Sequence, residues 1–323
     1  MTRSVASGTL VACVLAVLGT AAPQQPPVFR GGGDAVRVFV TVTDGDGRLV
    51  TNLVKEHFEV RDDGKPQPIT TFDNSPQPIR LIVMLDVSGS MAGNLSLLRA
   101  AAEQLFERLG EHDAARVGAF GTEVVISSTF TRDVRELRRA LPDTIVPDAP
   151  TPLWRALNDA LNVFKDEREA RPVILVLSDG KDSGPTSLNF RERVPSQAEI
   201  IDRARAEDVM VYAIGLRSRG QRPMQPGIGP GGLQAMMIAD LPDPGLARVA
   251  QDTGGGYLEI RFGQDLADAF ARVADELHSQ YLLGYAPPKR DGKVHDIDVR
   301  LSERRLKPRA RKSYVAAKEQ ASP

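Results

Sequence analysis

Two hydrophobic patterns divide the chain. Residues 36–43 (VRVFVTVT) put a valine at every second position, the period of a strand. Three later runs are apolar almost without a break: 81–85 (LIVML), 172–177 (PVILVL) and 209–216 (VMVYAIGL). Unbroken runs of strand length predict strands covered on both faces, as in the middle of a parallel sheet. Between and after them the period lengthens. Helices are predicted over 94–109, 133–141, 151–164, 197–206, 244–253 and 265–279, with Thr151 as an N-cap and Pro152 in the first turn of its helix. A hairpin over 116–120 and 123–130 suits a sheet edge, and 256–260 predicts one more strand. Strands alternating with helices from residue 79 onward predict an α/β fold with a doubly wound, Rossmann-like, mostly parallel sheet.

Both flanks of that unit read as β structure. Before it lie 36–43, 57–61 and 68–72; after it lie 281–286, 294–301 and 309–315. Asp62-Asp63-Gly64-Lys65 predicts a turn. Asp44-Gly45-Asp46-Gly47 looks superficially like a calcium loop, but Arg48 takes the third ligand position and no glutamate stands at the twelfth, so a hairpin turn is expected. Neither flank has enough chain to bury a core alone. The ends of a compact domain often lie close together, so the flanks are expected to pair into a small all-β unit.

Composition narrows the function classes. A net charge of −1 over 323 residues and few aromatics give no footing for nucleic acid. The first residues have the anatomy of a secretory signal peptide: Arg3, an apolar core over 10–18, small residues to Ala22, then a proline-rich segment. That core is too short for a membrane span, so no integral span is expected in the mature chain, which would be secreted or periplasmic. Cys13, the only cysteine, lies inside it, so no disulfide is expected. Residues 10–13 (LVAC) also resemble a lipoprotein cleavage box, which leaves lipid anchoring at Cys13 as an alternative. The expected division is 1–22 signal peptide, 23–33 linker, 34–78 N-terminal β segment, 79–280 α/β domain, 281–316 C-terminal β segment and 317–323 tail. Within the α/β domain, 217–242 is a glycine- and proline-rich insertion, expected to be a surface loop. Its Gly227-Ile228-Gly229-Pro230-Gly231-Gly232 lacks the strand-to-helix junction of a dinucleotide loop.

The candidate chemistry sits where strands end. Asp86 closes the first buried run and is followed by Ser88 and Ser90. Asp179 closes the second, and Thr151 opens a helix between them. Open α/β sheets bind ligands at the carboxyl ends of their strands. A carboxylate with neutral hydroxyls is a hard oxygen donor set, suited to magnesium, manganese or calcium. The plainer reading is that each residue caps a helix or shapes a turn.

The order Asp86-x-Ser88-x-Ser90, Thr151, Asp179 resembles the metal-ion-dependent adhesion site of the von Willebrand factor A domain. The resemblance covers about 79–280. In the flanks, Val42-Thr43-Asp44, Phe58-Glu59-Val60-Arg61-Asp62-Asp63-Gly64 and Gln280-Tyr281-Leu282-Leu283-Gly284-Tyr285 are similar to motifs of an A-domain-related family abundant in Acidobacteria. Pro150 departs from that pattern, which usually has glycine before the threonine. The resemblance implies a binding module. Asp86, Ser88, Ser90 and Thr151 would hold Mg2+, or Mn2+ or Ca2+; Asp179 would act through water. An acidic residue of a protein ligand would complete the site. Two alternatives stand beside it: a structural subunit of an envelope assembly with a stabilising metal, and a metal-dependent hydrolase. The second lacks support in the motifs, because the four histidines, His57, His112, His278 and His295, fall on unrelated segments.

Overall fold

A computed structural model describes residues 35–91, 93–166, 170–179, 182–183, 194–217, 242–260 and 266–318. The proposed signal peptide, the linker and nearly all of the insertion lie outside the described residues. No helix among the described residues is long and apolar enough to cross a membrane.

The unbroken apolar runs form the middle of a six-stranded sheet. Its strands are β5 (Ile79–Asp86), β6 (Ala114–Phe120), β7 (Val124–Ile126), β8 (Arg171–Ser178), β9 (Met210–Leu216) and β10 (Tyr257–Ile260), in the spatial order β10-β9-β8-β5-β6-β7. All neighbours run parallel except the edge hairpin β6–β7. Period-2 geometry explains why these runs need no polar positions. On β5, Leu81, Val83 and Leu85 enter one core while Ile82 and Met84 enter the other. The first core is closed by α1 (Leu95–Glu107), α2 (Val134–Ala140) and α6 (Leu266–His278). The second is closed by α3 (Leu153–Val163), α4 (Gln197–Ala206) and α5 (Pro244–Thr253). At roughly 1.5–3 kcal/mol for each large apolar side chain buried, these two cores are the main stabilising term.

The flanks pair with one another, as their shortness required. The remaining strands are β1 (Val36–Thr43), β2 (Phe58–Asp62), β3 (Lys65–Gln67), β4 (Thr71–Asp73), β11 (Tyr281–Tyr285), β12 (Val294–Leu301), β13 (Lys307–Arg309) and β14 (Ser313–Val315). They form two four-stranded sheets, β13-β1-β11-β4 and β14-β12-β2-β3, each drawing strands from both ends of the chain. A third core lies between them, with Val38, Val40, Val60, Leu283 and Tyr285 fully buried. The predicted strand over 309–315 breaks in two, with β13 ending at Arg309 and β14 beginning at Ser313, and the halves join different sheets. The strand expected over 68–72 is observed as β4, later and shorter, and β3 was not expected. Asp44 uses one carboxylate oxygen to accept from the N–H groups of Asp46 and Arg48, which makes the Asp-Gly-Asp-Gly segment a turn.

Asp113 locks the N-terminal end of β5 in place. It accepts from Ile79 N at 2.9 Å, Gly110 N at 2.7 Å and His278 Nε2 at 2.7 Å, joining three elements at one buried carboxylate. Burial alone would raise its pKa, but the His278 contact and the two backbone donors outweigh that and hold it below the ordinary value. A depressed carboxylate contributes stability above its unfolded pKa and loses it as pH falls through the folded one. Asp113→Ala should therefore destabilise the fold by about 2–3 kcal/mol at neutral pH. The deficit should shrink in urea melts below about pH 4. An unchanged deficit at acid pH would assign the effect to packing.

Candidate metal centre

The winding of the sheet locates the site. The chain leaves β5 through α1 to β6 on one side, then returns to β8 on the other. The crevice above the carboxyl ends of β5 and β8 is the switch point of the sheet. Register does the rest. Leu85 pairs with Leu177, so Asp86 and Ser178 end adjacent strands side by side, with Asp179 next.

Asp86 is fully buried. One of its oxygens accepts from Ser88 N at 2.9 Å; the other accepts from Ser178 Oγ at 2.5 Å. Gly89 and Ser90 continue into a single helical turn, which brings Ser90 Oγ within 3.0 Å of Ser88 Oγ. Ser90 Oγ also donates to Asp179 Oδ1 at 2.7 Å. Hydrogen bonds thus link Asp86, Ser88, Ser90 and Asp179, as the strand-end argument anticipated. Gly89 allows the turn to lie against the opposite loop, since a Cβ there would sit 3.0 Å from Asp148 N.

Thr151 enters from that opposite loop. With Ser88, Gly89, Ser90, Ile145, Pro147, Asp148 and Ala149 it lines a cleft of about 470 Å³. Its predicted role as a helix cap is not observed. The helix begins at Leu153 with Pro152 in the cap position, and Thr151 lies outside it. Instead the backbone of Thr151 is fastened at both groups: its N–H donates to Ser183 Oγ, and its carbonyl accepts from Ser183 N at 3.0 Å.

Two members of the site escape a reading by residue type. Ser178 supplies a direct donor to Asp86, and Ser183 fixes Thr151. The signal for Ser178 was its position, one residue before Asp179 at the end of a buried strand. Nothing local distinguishes Ser183.

Burial dominates the electrostatics of the two carboxyl groups. Burial raises the pKa of Asp86 despite its hydrogen bonds to Ser178 and Ser88. Burial likewise pushes Asp179 up to about 6, with the Asp86 charge adding to it against the opposing Ser90 bond. Asp179 Oδ2 is buried with no hydrogen-bond partner. Two neighbouring buried carboxylates with an orphaned oxygen and all-oxygen surroundings fit a hard divalent cation.

Residues 81–181 match the family model of the von Willebrand factor type A domain. Over this stretch the α/β unit is similar to a von Willebrand factor A domain. No curated protein matches the sequence. Among solved structures, a von Willebrand factor type A protein from Catenulispora acidiphila is similar at 12% identity and a TM-score of 0.47, covering 90% of this chain and 76% of that one. The corresponding domain of the type V pili tip protein Mfa5 from Porphyromonas gingivalis gives 14% identity and 0.44, with 62% and 95% covered. The proximal thread matrix protein 1 of the mussel byssus, with a zinc-occupied adhesion motif, gives 15% and 0.44, with 68% and 50% covered.

A carboxyl group whose pKa is raised on folding contributes stability below its unfolded pKa and loses it as pH rises through the folded value. In chelator-treated protein, stability should therefore fall between about pH 4 and pH 6. Asp179→Asn should flatten that slope in denaturant melts. A slope that Asp179→Asn leaves unchanged would show that the carboxylate is not strained by its surroundings.

Proposed function

We propose that the A domain binds a protein ligand through a metal-ion-dependent adhesion site. Asp86, Ser88, Ser90 and Thr151 would hold the cation, with Asp179 acting through water. The observation that carries this reading is the orphaned, buried Asp179 Oδ2 beside the fully buried Asp86. Magnesium fits the donor set best, because it binds through few protein oxygens and retains waters; manganese and calcium are the other candidates. A bound cation would attract an acidic side chain of the partner, since one direct carboxylate leaves it under-neutralised. The chain's own residues form the surrounding cleft, in which Asp148 is the one carboxylate among the described lining residues. None of those lining residues is an imidazole or thiol, which supports binding over hydrolysis. Secretion or residence in the periplasm is part of the same proposal, resting on the signal-peptide pattern of residues 1–22.

The test uses the full chain and the envelope fraction of its own source. Binding of a partner should require Mg2+ and be abolished by chelation. Asp86→Ala should remove it while leaving the melting transition within about 2 kcal/mol of the parent, the scale of the two donors left unpaired. Asp179→Asn should weaken cation affinity about tenfold, the usual effect of losing an outer-sphere partner. Partner binding that survives both chelation and Asp86→Ala would sink the adhesion reading. Loss of stability on chelation with partner binding retained would favour a purely structural metal in an envelope assembly.

A further inference from the structure

A second group of metal-ligating side chains lies in the β-sandwich, on elements that the A-domain site does not use. Asp62 ends β2, Asp63 occupies the following turn with φ of 47°, and His295 is the second residue of β12. Pairing of β2 with β12 sets Asp62 opposite Ile297. Two backbone-directed bonds then fold the turn over His295: Asp63 N donates to Asp296 O at 3.0 Å, and Asp296 N to Asp63 Oδ1 at 3.1 Å. One ligand atom from each of Asp62, Asp63 and His295 lies within 4.8 Å of the others. His295 Nδ1 is 2.9 Å from Asp63 Oδ2 and 3.7 Å from Asp62 Oδ1.

Clustered carboxylates alone would mean little. The decisive atom is Asp62 Oδ1. Asp62 is 1% exposed, and its Oδ2 accepts from both Tyr285 OH at 2.9 Å and Tyr314 OH at 2.8 Å. Its Oδ1, buried and aimed at the imidazole, has no hydrogen-bond partner. Such an oxygen carries the full desolvation penalty unless a cation meets it. The imidazole is prepared as well. His295 Nε2 faces Asp291 Oδ1 at 3.0 Å, a contact that would hold the Nε2 proton while Nδ1 serves as the ligand nitrogen. A carboxylate behind a ligating histidine is the usual outer support of such sites. The two tyrosines support Asp62 in the same way.

We propose that Asp62, Asp63 and His295 form a second metal site, of the zinc class, separate from the A-domain cleft. One imidazole nitrogen with two carboxylate oxygens disfavours magnesium and calcium, which take oxygen ligands, and suits Zn2+ with water at the open side by the partly exposed Asp63. Lys289 Nζ lies 3.7 Å from Asp63 Oδ2 and is exposed, so it can swing aside when the ion enters. The ion would join positions 232 apart, stapling the N-terminal flank to the C-terminal one around the whole A domain. The proposal is independent of the adhesion reading.

The test is made on the full chain carrying Asp86→Ala, which silences the first site. After chelation, calorimetric titration with Zn2+ alone should show one equivalent bound, and the melting temperature should rise with zinc. Asp63→Asn and His295→Gln should each abolish that uptake; Asp291→Asn should weaken it about tenfold to a hundredfold. Asn tolerates the left-handed conformation at position 63, so that variant keeps its turn and decides the question if His295→Gln does not fold. X-ray absorption at the zinc edge should show mixed nitrogen and oxygen ligation with one imidazole. Failure of the folded Asp86→Ala protein to take up zinc would overturn the proposal and leave His295 as an imidazolium held between carboxylates. Uptake undiminished in Asp63→Asn would overturn it equally.

Discussion

A carboxylate with no solvent exposure at the end of the central strand is the constraint on which the A-domain site depends. Asp86 cannot move without breaking β5, because the apolar side chains preceding it fill two cores at once. Its neighbour Ser178 is fixed by the same register on β8. The packing of Leu, Ile and Val thus holds the oxygens, and the oxygens do not hold the fold. A charge placed there is costly to the isolated chain and useful only to a ligand of opposite sign. That cost is visible in the raised pKa values of Asp86 and Asp179.

A second buried charge joins the sheet to the flanks. Arg171, at the start of β8, is fully buried. Its guanidinium stacks over Phe39 of β1 at 4.4 Å and donates to Gln280 Oε1 and to Leu277 O. Gln280 in turn donates to Thr41 Oγ1 at 2.8 Å and to Tyr212 OH at 3.3 Å. Burial lowers the Arg171 pKa to about 10, which still leaves it charged near neutrality. One residue therefore begins the strand whose other end supports Asp86, and it also touches the β-sandwich. The same strand that carries the site is tied to the layer formed by both chain flanks.

The features legible in the sequence are those with a period or a strand end to announce them. Unbroken runs gave the buried strands, and aspartates at their ends gave Asp86 and Asp179. The pairing of the flanks followed from their being too short to stand alone. What escaped was set by register or by contacts distant in the chain. Thr151 looked like a cap because threonine before a helix with Pro152 usually is one, yet the helix starts at Leu153 and Ser183 claims its backbone. The break at 310–312 separates two short runs that look continuous, because which sheet each half joins depends on strands elsewhere. Asp62-Asp63-Gly64 read as a turn, which it is, with Asp63 and Gly64 both at positive φ. That the turn also faces His295 could not be read, since the partner lies 232 positions away.

The two carboxylate sites differ in a way that bears on their roles. At the A-domain cleft the proposed donors are one direct carboxylate and neutral hydroxyls, and the cleft beside Ser90 opens to solvent. A cation held there would be under-neutralised and accessible, so its remaining affinity would be directed outward. In the sandwich, Asp62 and His295 are nearly inaccessible, and tyrosines and Asp291 already orient them. Two carboxylates would neutralise a divalent ion there, so little attraction would be left for a partner and the binding energy would go into holding β2 against β12. If both proposed sites hold cations, charge balance and access suit the first to recognition and the second to stability.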